Sequence, residues 1–288
     1  MTSKCWQITF TPQTPTDENF DEFLSNFFEV VSQNYNDNGI DEYIGYLGDN
    51  FDERQMLNLA NTYSIELPPY KIAELKSENW LKDYVIKFDA FEICNFCIYG
   101  IHETVSPKTD KIPLQIYAAT AFGSNHQTTQ CCIRSISELY DSEFIPSKIL
   151  DIGTGSGILS LCSAKLWPDT TIIAGDIDDE AVIVTASNAK TNNLEKQIQA
   201  IVSDGYNHNL ITSDSPYDLI LCNILANPLI AFAPDLAKNL NNGGYCILSG
   251  FVDDQVDSVI NAHEQVGLRL IKQYSMNNWH SALMQKVK

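Results

Sequence analysis

A short loop rich in glycine carries the strongest chemical signal in this chain of 288 residues. The segment Asp151-Ile152-Gly153-Thr154-Gly155-Ser156-Gly157 follows an apolar run and opens a helical pattern at Ile158. Glycine has no Cβ and tolerates positive φ, so these three glycines let the backbone come very close to a ligand. The segment therefore indicates either a ligand-binding loop or a tight turn between a strand and a helix.

The spacing of the glycines argues against a dinucleotide ligand. The dinucleotide fingerprint is Gly-x-Gly-x-x-Gly and ends with helix amides on a pyrophosphate. Here the third glycine comes one residue early, and Ile158 takes its expected place. Asp151 would repel a pyrophosphate but suits an amine, such as the methionine end of S-adenosylmethionine. The loop favours S-adenosylmethionine over NAD, with Asp151, Gly153 and Gly155 as cofactor contacts.

A second acid follows the loop at a meaningful distance. Asp176 ends the apolar run 171–174, roughly 20 residues after the first glycine, where nucleotide-binding folds carry an acid for the ribose. The order strand, loop, helix, strand, acid predicts a parallel sheet in which the acid reaches the carboxyl edge beside the loop. Asp176 is then placed to bind both ribose hydroxyls of the cofactor.

Two further polar positions would complete such a site. Asn223 ends the apolar run 219–222; its carboxamide can accept a hydrogen bond from an amine, and the backbone carbonyl beside it offers a second acceptor. An asparagine that caps the next helix is the alternative. Upstream, the hydroxyl and small residues of 121–129 can hold a carboxylate at a helix start, unless they form an ordinary capped helix. His126 is either a surface histidine or catalytic.

Apolar runs and helical patterns alternate regularly along the chain from residue 149 onward. Helical patterns separate short apolar strands, which predicts a doubly wound, mostly parallel α/β sheet of Rossmann-like type. Two final runs, 268–273 and 282–286, predict a closing antiparallel hairpin. The strands are expected at 149–150, 171–174, 198–202, 219–222 and 245–248, and the later helices at 181–192, 228–240 and 253–266.

Residues 1–73 are expected to form a separate small α+β domain of ferredoxin-like type. The apolar spacing predicts two helices, at 19–33 and 53–63, on a short antiparallel sheet. The strands of that sheet are expected at 6–10, 43–47 and 70–72. A connecting helix at 74–84, within a linker region of 74–90, then leads to the main domain at 91–288.

The composition is that of a globular protein with a strongly acidic surface. The formal net charge is −19, and residues 1–70 contain 12 acidic and two basic residues. This balance disfavours a nucleic-acid footprint and fits either a basic protein partner or a solvated surface. The chain has no apolar segment typical of a signal peptide or a membrane span. We therefore expect a cytoplasmic protein, a monomer, without a metal site.

Taken together, the motifs resemble the ribosomal protein L11 methyltransferase family. The resemblance rests on Ala121-Phe122-Gly123 with His126 and Thr128-Thr129, on the 151–157 loop, on Asp176-Ile177-Asp178 and on Asn223-Ile224-Leu225-Ala226. The match covers most of 74–288, and Glu78-Asn79-Trp80 is similar to the linker helix of the family. Where the family reads Ala-Phe-Gly-Thr-Gly-x-His-x-Thr-Thr, this chain is one residue shorter.

The resemblance implies a class I methyltransferase domain that uses S-adenosylmethionine, and a first domain that recognises a ribosomal protein. The methyl groups would go to lysine side chains or the N-terminal amine of that protein. By motif, the cofactor contacts of the family fall on Thr129, Gly153, Asp176 and Asn223, and Asn223 is also the catalytic candidate. The alternatives are another protein lysine, a nucleobase amine, or a cofactor-binding assembly module that has lost catalysis.

Overall fold

The computed structural model divides the chain into two compact units, Met1–Tyr84 and Val85–Lys288. The upstream segment 118–126, which includes His126, and most of the expected linker helix lie outside the described residues. Among the described residues no helix is both long and apolar enough to span a membrane. The residues described are 5–13, 16, 18–28, 30–36, 39–47, 51–63, 65–75, 88–103, 105–117 and 127–287.

The first unit is a four-stranded antiparallel sheet with two helices. Its elements are β1 (Cys5–Phe10), α1 (Glu18–Phe27), β2 (Val30–Asn36), β3 (Gly39–Leu47), α2 (Glu53–Thr62) and β4 (Tyr70–Leu75). The strands lie in the order β2-β3-β1-β4, and each neighbouring pair is antiparallel. This sequence of elements is the ferredoxin-like arrangement that the sequence predicts.

The predicted first helix is wrong beyond Phe27. The chain leaves the helix there and forms β2, in which Val30 pairs with Tyr46 of β3. The helical spacing of Phe27, Phe28 and Val31 continues past the true end of α1, so periodicity alone could not locate that end. The predicted start of the connecting helix at residue 74 is also wrong, because residues 74 and 75 belong to β4.

The second unit contains a small sheet that leads toward the main one. Strand β5 (Phe91–Ile93) pairs antiparallel with β6 (Phe96–Gly100), which pairs parallel with β7 (Ile112–Ile116). Helix α3 (Gln127–Asp141) follows and packs against the main sheet.

The main sheet has seven strands in the order β10-β9-β8-β11-β12-β14-β13. The five strands β8 to β12 are parallel to one another. Strands β13 and β14 form the predicted antiparallel hairpin. The strands are β8 (Lys148–Ile152), β9 (Thr171–Asp176), β10 (Ile198–Val202), β11 (Tyr217–Asn223), β12 (Leu240–Val252), β13 (Leu268–Met276) and β14 (Trp279–Lys286). The helices are α4 (Ile158–Leu166), α5 (Asp179–Thr191), α6 (Asn209–Asp214), α7 (Ala226–Asn239) and α8 (Val256–Glu264).

Alternate residues of each central strand enter opposite cores. Ile149 belongs to the core on one face of the sheet and Leu150 to the core on the other. Side chains of a strand point alternately to the two faces, and both faces here are covered by helices, so the strands read as continuous apolar runs. The α/β fold predicted from the alternation is confirmed, and β8 and β11 are neighbours in the sheet.

Candidate active site

A cleft of about 590 Å³ lies where the parallel strands end. It gathers segments that are far apart in sequence: the glycine loop after β8, the end of β9, the residues after β10 and the end of β11. Ligands of doubly wound sheets bind at this carboxyl edge. The predicted site residues that line the cleft are Thr129, Gly153, Gly155, Asp176 and Asn223.

The glycine loop requires its glycines for two reasons. Gly153, Gly155 and Gly157 have φ values of +71°, +57° and +78°, in the left-handed region that side chains disfavour. A Cβ on Gly153 would also lie 2.2 Å from Cγ2 of Ile224, whereas a Cβ on Gly155 would meet nothing within 4 Å. The first glycine is therefore fixed by both conformation and packing, and the second by conformation.

Asp151 lies beneath the loop and does not line the cleft. Its side chain is buried, and Oδ2 accepts hydrogen bonds from Thr154 Oγ1 at 2.9 Å and Ser160 Oγ at 2.6 Å. Burial raises the pKa of this carboxyl to about 6, partly opposed by those hydroxyl donors. Asp151 thus joins a loop hydroxyl to a hydroxyl of α4, while neighbouring residues of the loop line the cleft.

Asp176 joins the glycine loop to the turn after β9. Its Oδ2 accepts a hydrogen bond from the Gly155 N–H at 2.9 Å, and its Oδ1 accepts one from the Asp178 N–H at 3.1 Å. The carboxylate is thereby held at the cleft edge, beside the exposed side chain of Ile177. An acid fixed this way can bind a pair of hydroxyls with little loss of side-chain entropy.

Asn223 meets the start of α3 across the cleft. Its Nδ2 donates to Thr129 Oγ1 at 3.3 Å, and Thr129 is buried in the first turn of that helix. This bond orients the carboxamide so that its Oδ1 remains a potential acceptor for a substrate donor. The two residues lie 94 positions apart in sequence, so the tertiary fold alone brings them together.

The backbone after Asn223 lies unusually close to strand β12. The Ile224 N–H donates to the Ser249 carbonyl at 3.0 Å, and a Cβ on Gly250 would lie 2.0 Å from the Ile224 carbonyl oxygen. Gly250, with φ +99°, is therefore required for this approach. The Leu229 N–H donates to the Leu225 carbonyl at 3.2 Å, so the helical hydrogen bonds of α7 begin one residue after Ile224.

An apolar wall completes the cleft, and the sequence reasoning missed it. Helix α7 contributes Pro228 and Phe232, one turn apart, and Trp279 at the start of β14 also lines the cavity. The spacing of Pro228 and Phe232 could have indicated a shared helix face. Nothing local links Trp279 to the other segments, because the hairpin reaches the cleft through its pairing with β12.

Comparisons with known proteins agree with this geometry. Residues 14–287 match the family model described as "Ribosomal protein L11 methyltransferase (PrmA)". A protein of that name from Brucella abortus (strain S19) is 37% identical over 207 residues, 72% of each chain. Its namesake from Chelativorans sp. (strain BNC1) is 33% identical over 214 residues, 74% of this chain and 73% of its own length.

A solved structure extends the similarity to the fold. The ribosomal protein L11 methylase from Lactobacillus delbrueckii subsp. bulgaricus aligns with a TM-score of 0.59 and 26% sequence identity. The alignment covers 69% of this chain and all of the solved one. The similarity therefore spans most of the chain, both in sequence and in architecture.

Proposed function

The chain belongs to the ribosomal protein L11 methyltransferase family, and on that premise we propose that it methylates amino groups of a ribosomal protein. It is a methyltransferase, and its methyl donor is S-adenosylmethionine. We propose lysine side chains or the N-terminal amine as acceptors. The observation that carries this proposal is the meeting of Asn223 with Thr129 beside the glycine loop.

The cleft fits the donor in size and chemistry. A volume of about 590 Å³ lies within the roughly 300–1,000 Å³ typical of small-molecule sites. Asp176 would bind the ribose hydroxyls, Gly153 and Gly155 would allow close backbone approach, and Thr129 would bind the amino-acid end. Asp151 would act on the donor indirectly, by holding the loop through Thr154. The donor supplies a methyl group activated by a sulfonium charge.

Asn223 and the Ile224 carbonyl are proposed to orient the amine. Both residues offer an oxygen acceptor where β11 ends, and the helical hydrogen bonds of α7 begin at the Leu225 carbonyl, so they do not use the Ile224 carbonyl. An amine that donates its hydrogens to two fixed oxygens presents its lone pair in one direction. Methyl transfer is an in-line displacement, so this alignment is the main contribution required of the protein.

The reactive amine must be neutral, and the cleft favours that form. A free lysine has a pKa near 10.4, so neutralising it at pH 7 requires about 4.6 kcal/mol. Desolvation by an apolar wall such as Phe232 and Trp279 lowers the pKa of an amine. A neighbouring positive charge on the donor acts in the same direction. No dedicated base is needed.

The acidic first unit is proposed to bind the protein substrate. Residues 1–70 hold 12 acidic and two basic residues, and a basic ribosomal protein complements that charge. We propose 1–73 as the recognition domain, 74–90 as the linker and 91–288 as the methyltransferase domain. We propose further that the protein acts as a monomer in the cytoplasm, without a nucleic-acid footprint.

Methyl incorporation tests the proposal directly. The protein is incubated with S-adenosylmethionine labelled in its methyl group and with ribosomal proteins from a strain that lacks this enzyme. We expect label in one large-subunit protein, on lysine or the N-terminal amine, identified by mass spectrometry. Asn223→Ala serves as the site control and should lose the label.

Other outcomes separate the alternatives. Label in a non-ribosomal protein or in RNA would overturn the proposed substrate. Tight cofactor binding by calorimetry without incorporation into any ribosomal fraction would instead favour a binding module. Full methylation and normal cofactor affinity in the Asn223→Ala protein would overturn the assignment of that residue.

A further inference from the structure

Helix α5 carries two buried polar side chains that reach the backbone of the glycine loop. Thr185 is fully buried, and its Oγ1 donates to the Gly155 carbonyl at 3.0 Å. Asn188, also fully buried, lies almost one turn later and donates from Nδ2 to the Ser156 carbonyl at 2.8 Å. Two successive peptides of the loop are thus held from the same helix face.

Asn188 also holds a second segment of chain. Its Nδ2 donates to the Tyr117 carbonyl at 3.0 Å, and the Tyr117 N–H donates to its Oδ1 at 2.8 Å. Both amide hydrogens and the amide oxygen are therefore in use, which is the full complement expected of a buried asparagine. The Asn188 side chain pairs with the Tyr117 backbone as a neighbouring strand would, and it also binds the glycine loop.

Asn192 repeats this pattern one turn further along and provides a natural comparison. The Gln115 N–H donates to Asn192 Oδ1 at 3.0 Å, and Asn192 Nδ2 donates to the Gln115 carbonyl at 2.7 Å and to the Asn188 carbonyl at 2.8 Å. Both asparagines pair with the same extended segment. The hydrogen bonds of Asn188 connect that segment to the glycine loop, whereas those of Asn192 connect it to Asn188.

Holding a carbonyl also fixes the amide beyond it. The peptide is planar and trans, so a Gly155 carbonyl directed at Thr185 turns the Ser156 N–H away from α5. The Ser156 carbonyl directed at Asn188 turns the Gly157 N–H away in the same manner, and that group donates to the Thr154 carbonyl at 2.8 Å. Glycines have the widest conformational freedom, so a loop of this composition needs such external restraints.

We propose that Asn188 is a positioning residue for cofactor binding, because it locks the glycine loop and the Tyr117 segment into one binding-competent arrangement. Thr185 supports the same loop one peptide earlier. The inference rests on the S-adenosylmethionine cleft of the proposed function. A loop that is competent for only a fraction of the time binds its ligand more weakly by that fraction, so the effect should appear in cofactor affinity.

The test compares Asn188→Ala with Asn192→Ala in the full-length protein. Each variant removes one strand-like pair of hydrogen bonds and one bond to a further carbonyl. S-adenosylhomocysteine is titrated by calorimetry, and urea unfolding is measured in parallel. We expect Asn188→Ala to weaken binding by about tenfold or more and Asn192→Ala by less than about threefold. The two unfolding midpoints should fall by similar amounts.

Equal weakening in both variants, or unchanged affinity in Asn188→Ala, would overturn the inference. If Asn188→Ala fails to fold, Thr185→Val decides, because it removes one hydroxyl from the loop and preserves side-chain shape. We expect Thr185→Val to bind several-fold more weakly with a small change in stability, and wild-type affinity would overturn the proposal. Wild-type protein that does not bind S-adenosylhomocysteine would instead overturn the proposed function, and this inference with it.

Discussion

The two units of this protein use their buried side chains in opposite ways. In the first unit, the buried side chains among the described residues are apolar or aromatic. Phe10 lies at the centre of edge-to-face contacts with Phe20, Phe23 and Phe28. Such a core stabilises the shape of the unit, and its apolar side chains do not indicate a functional site.

The second unit buries polar groups beside its cleft. Asp151, Thr185 and Asn188 are almost completely inaccessible, and each is hydrogen-bonded to or near the glycine loop. Buried polar groups destabilise a fold unless they are paired, so they are retained where a backbone must be held in one conformation. In this protein, the buried side chains that bear on function are therefore the polar ones of the second unit.

Truncation of Phe10 should have the largest effect that is confined to one unit. Phe10→Ala should lower the unfolding free energy of the first unit by about 3–5 kcal/mol, the usual effect of removing a buried ring. Every described residue that lines the cleft belongs to the second unit, so affinity for S-adenosylhomocysteine should stay within about twofold of wild type. Chemical denaturation and calorimetry measure the two quantities, and a tenfold loss of affinity would refute this independence.

The buried acid predicts a pH dependence that belongs to the second unit. The folded protein holds the Asp151 proton up to a pKa of about 6, against 3.8 for the ordinary side chain. Because the folded state binds more protons in this window, the unfolding free energy contributed by this group falls as pH rises from about 4 through about 6. The total loss is on the order of 3 kcal/mol.

Asp151→Asn is the matched variant for that effect. It keeps the size of the side chain but removes the ionisation. The difference in unfolding free energy between wild type and variant should change between pH 4 and pH 7, measured by denaturant titration. A difference that is constant over this range would show that Asp151 does not titrate as the burial indicates.

Asn223→Ala should separate catalysis from fold within the second unit. Loss of one positioned acceptor should slow methyl transfer by about 100-fold, while the unfolding free energy changes by about 1 kcal/mol because the bond to Thr129 is long. Single-turnover methylation with saturating cofactor measures the rate. A decrease in stability large enough to account for the lost activity would count against a role in orienting the amine.

Substitutions in the glycine loop should have the smallest effects, and two of them differ only in whether the new Cβ meets another side chain. In Gly155→Ala the new Cβ would enter open space. The free energy of unfolding should therefore fall by about 1 kcal/mol, because of the positive φ alone. In Gly153→Ala the new Cβ would also overlap the Ile224 side chain at 2.2 Å, so this variant should weaken S-adenosylhomocysteine binding by about tenfold. If both variants bind equally well, packing against Ile224 does not control the loop.

Much of the second unit could be predicted from sequence because its signals are local. The glycine loop, the acid at the end of β9 and the amide at the end of β11 each follow an apolar strand, and the α/β class predicted from the alternation is confirmed. The first unit was harder, since the residues after Phe27 keep a helical spacing while their backbone pairs with β3. Pairing with a distant strand overrode a local pattern.

The family, the α/β class and the residues that follow each strand can be identified from the sequence, because they depend on composition and spacing along one segment. The packed fold is needed to establish that Asp151 supports the loop from below, that Gly250 leaves room for the Ile224 carbonyl and that Asn188 joins the loop to Tyr117. These roles depend on which distant backbone atoms a side chain reaches. A hydrogen bond acts over about 3 Å, and only the packed fold sets such distances between residues far apart in the chain.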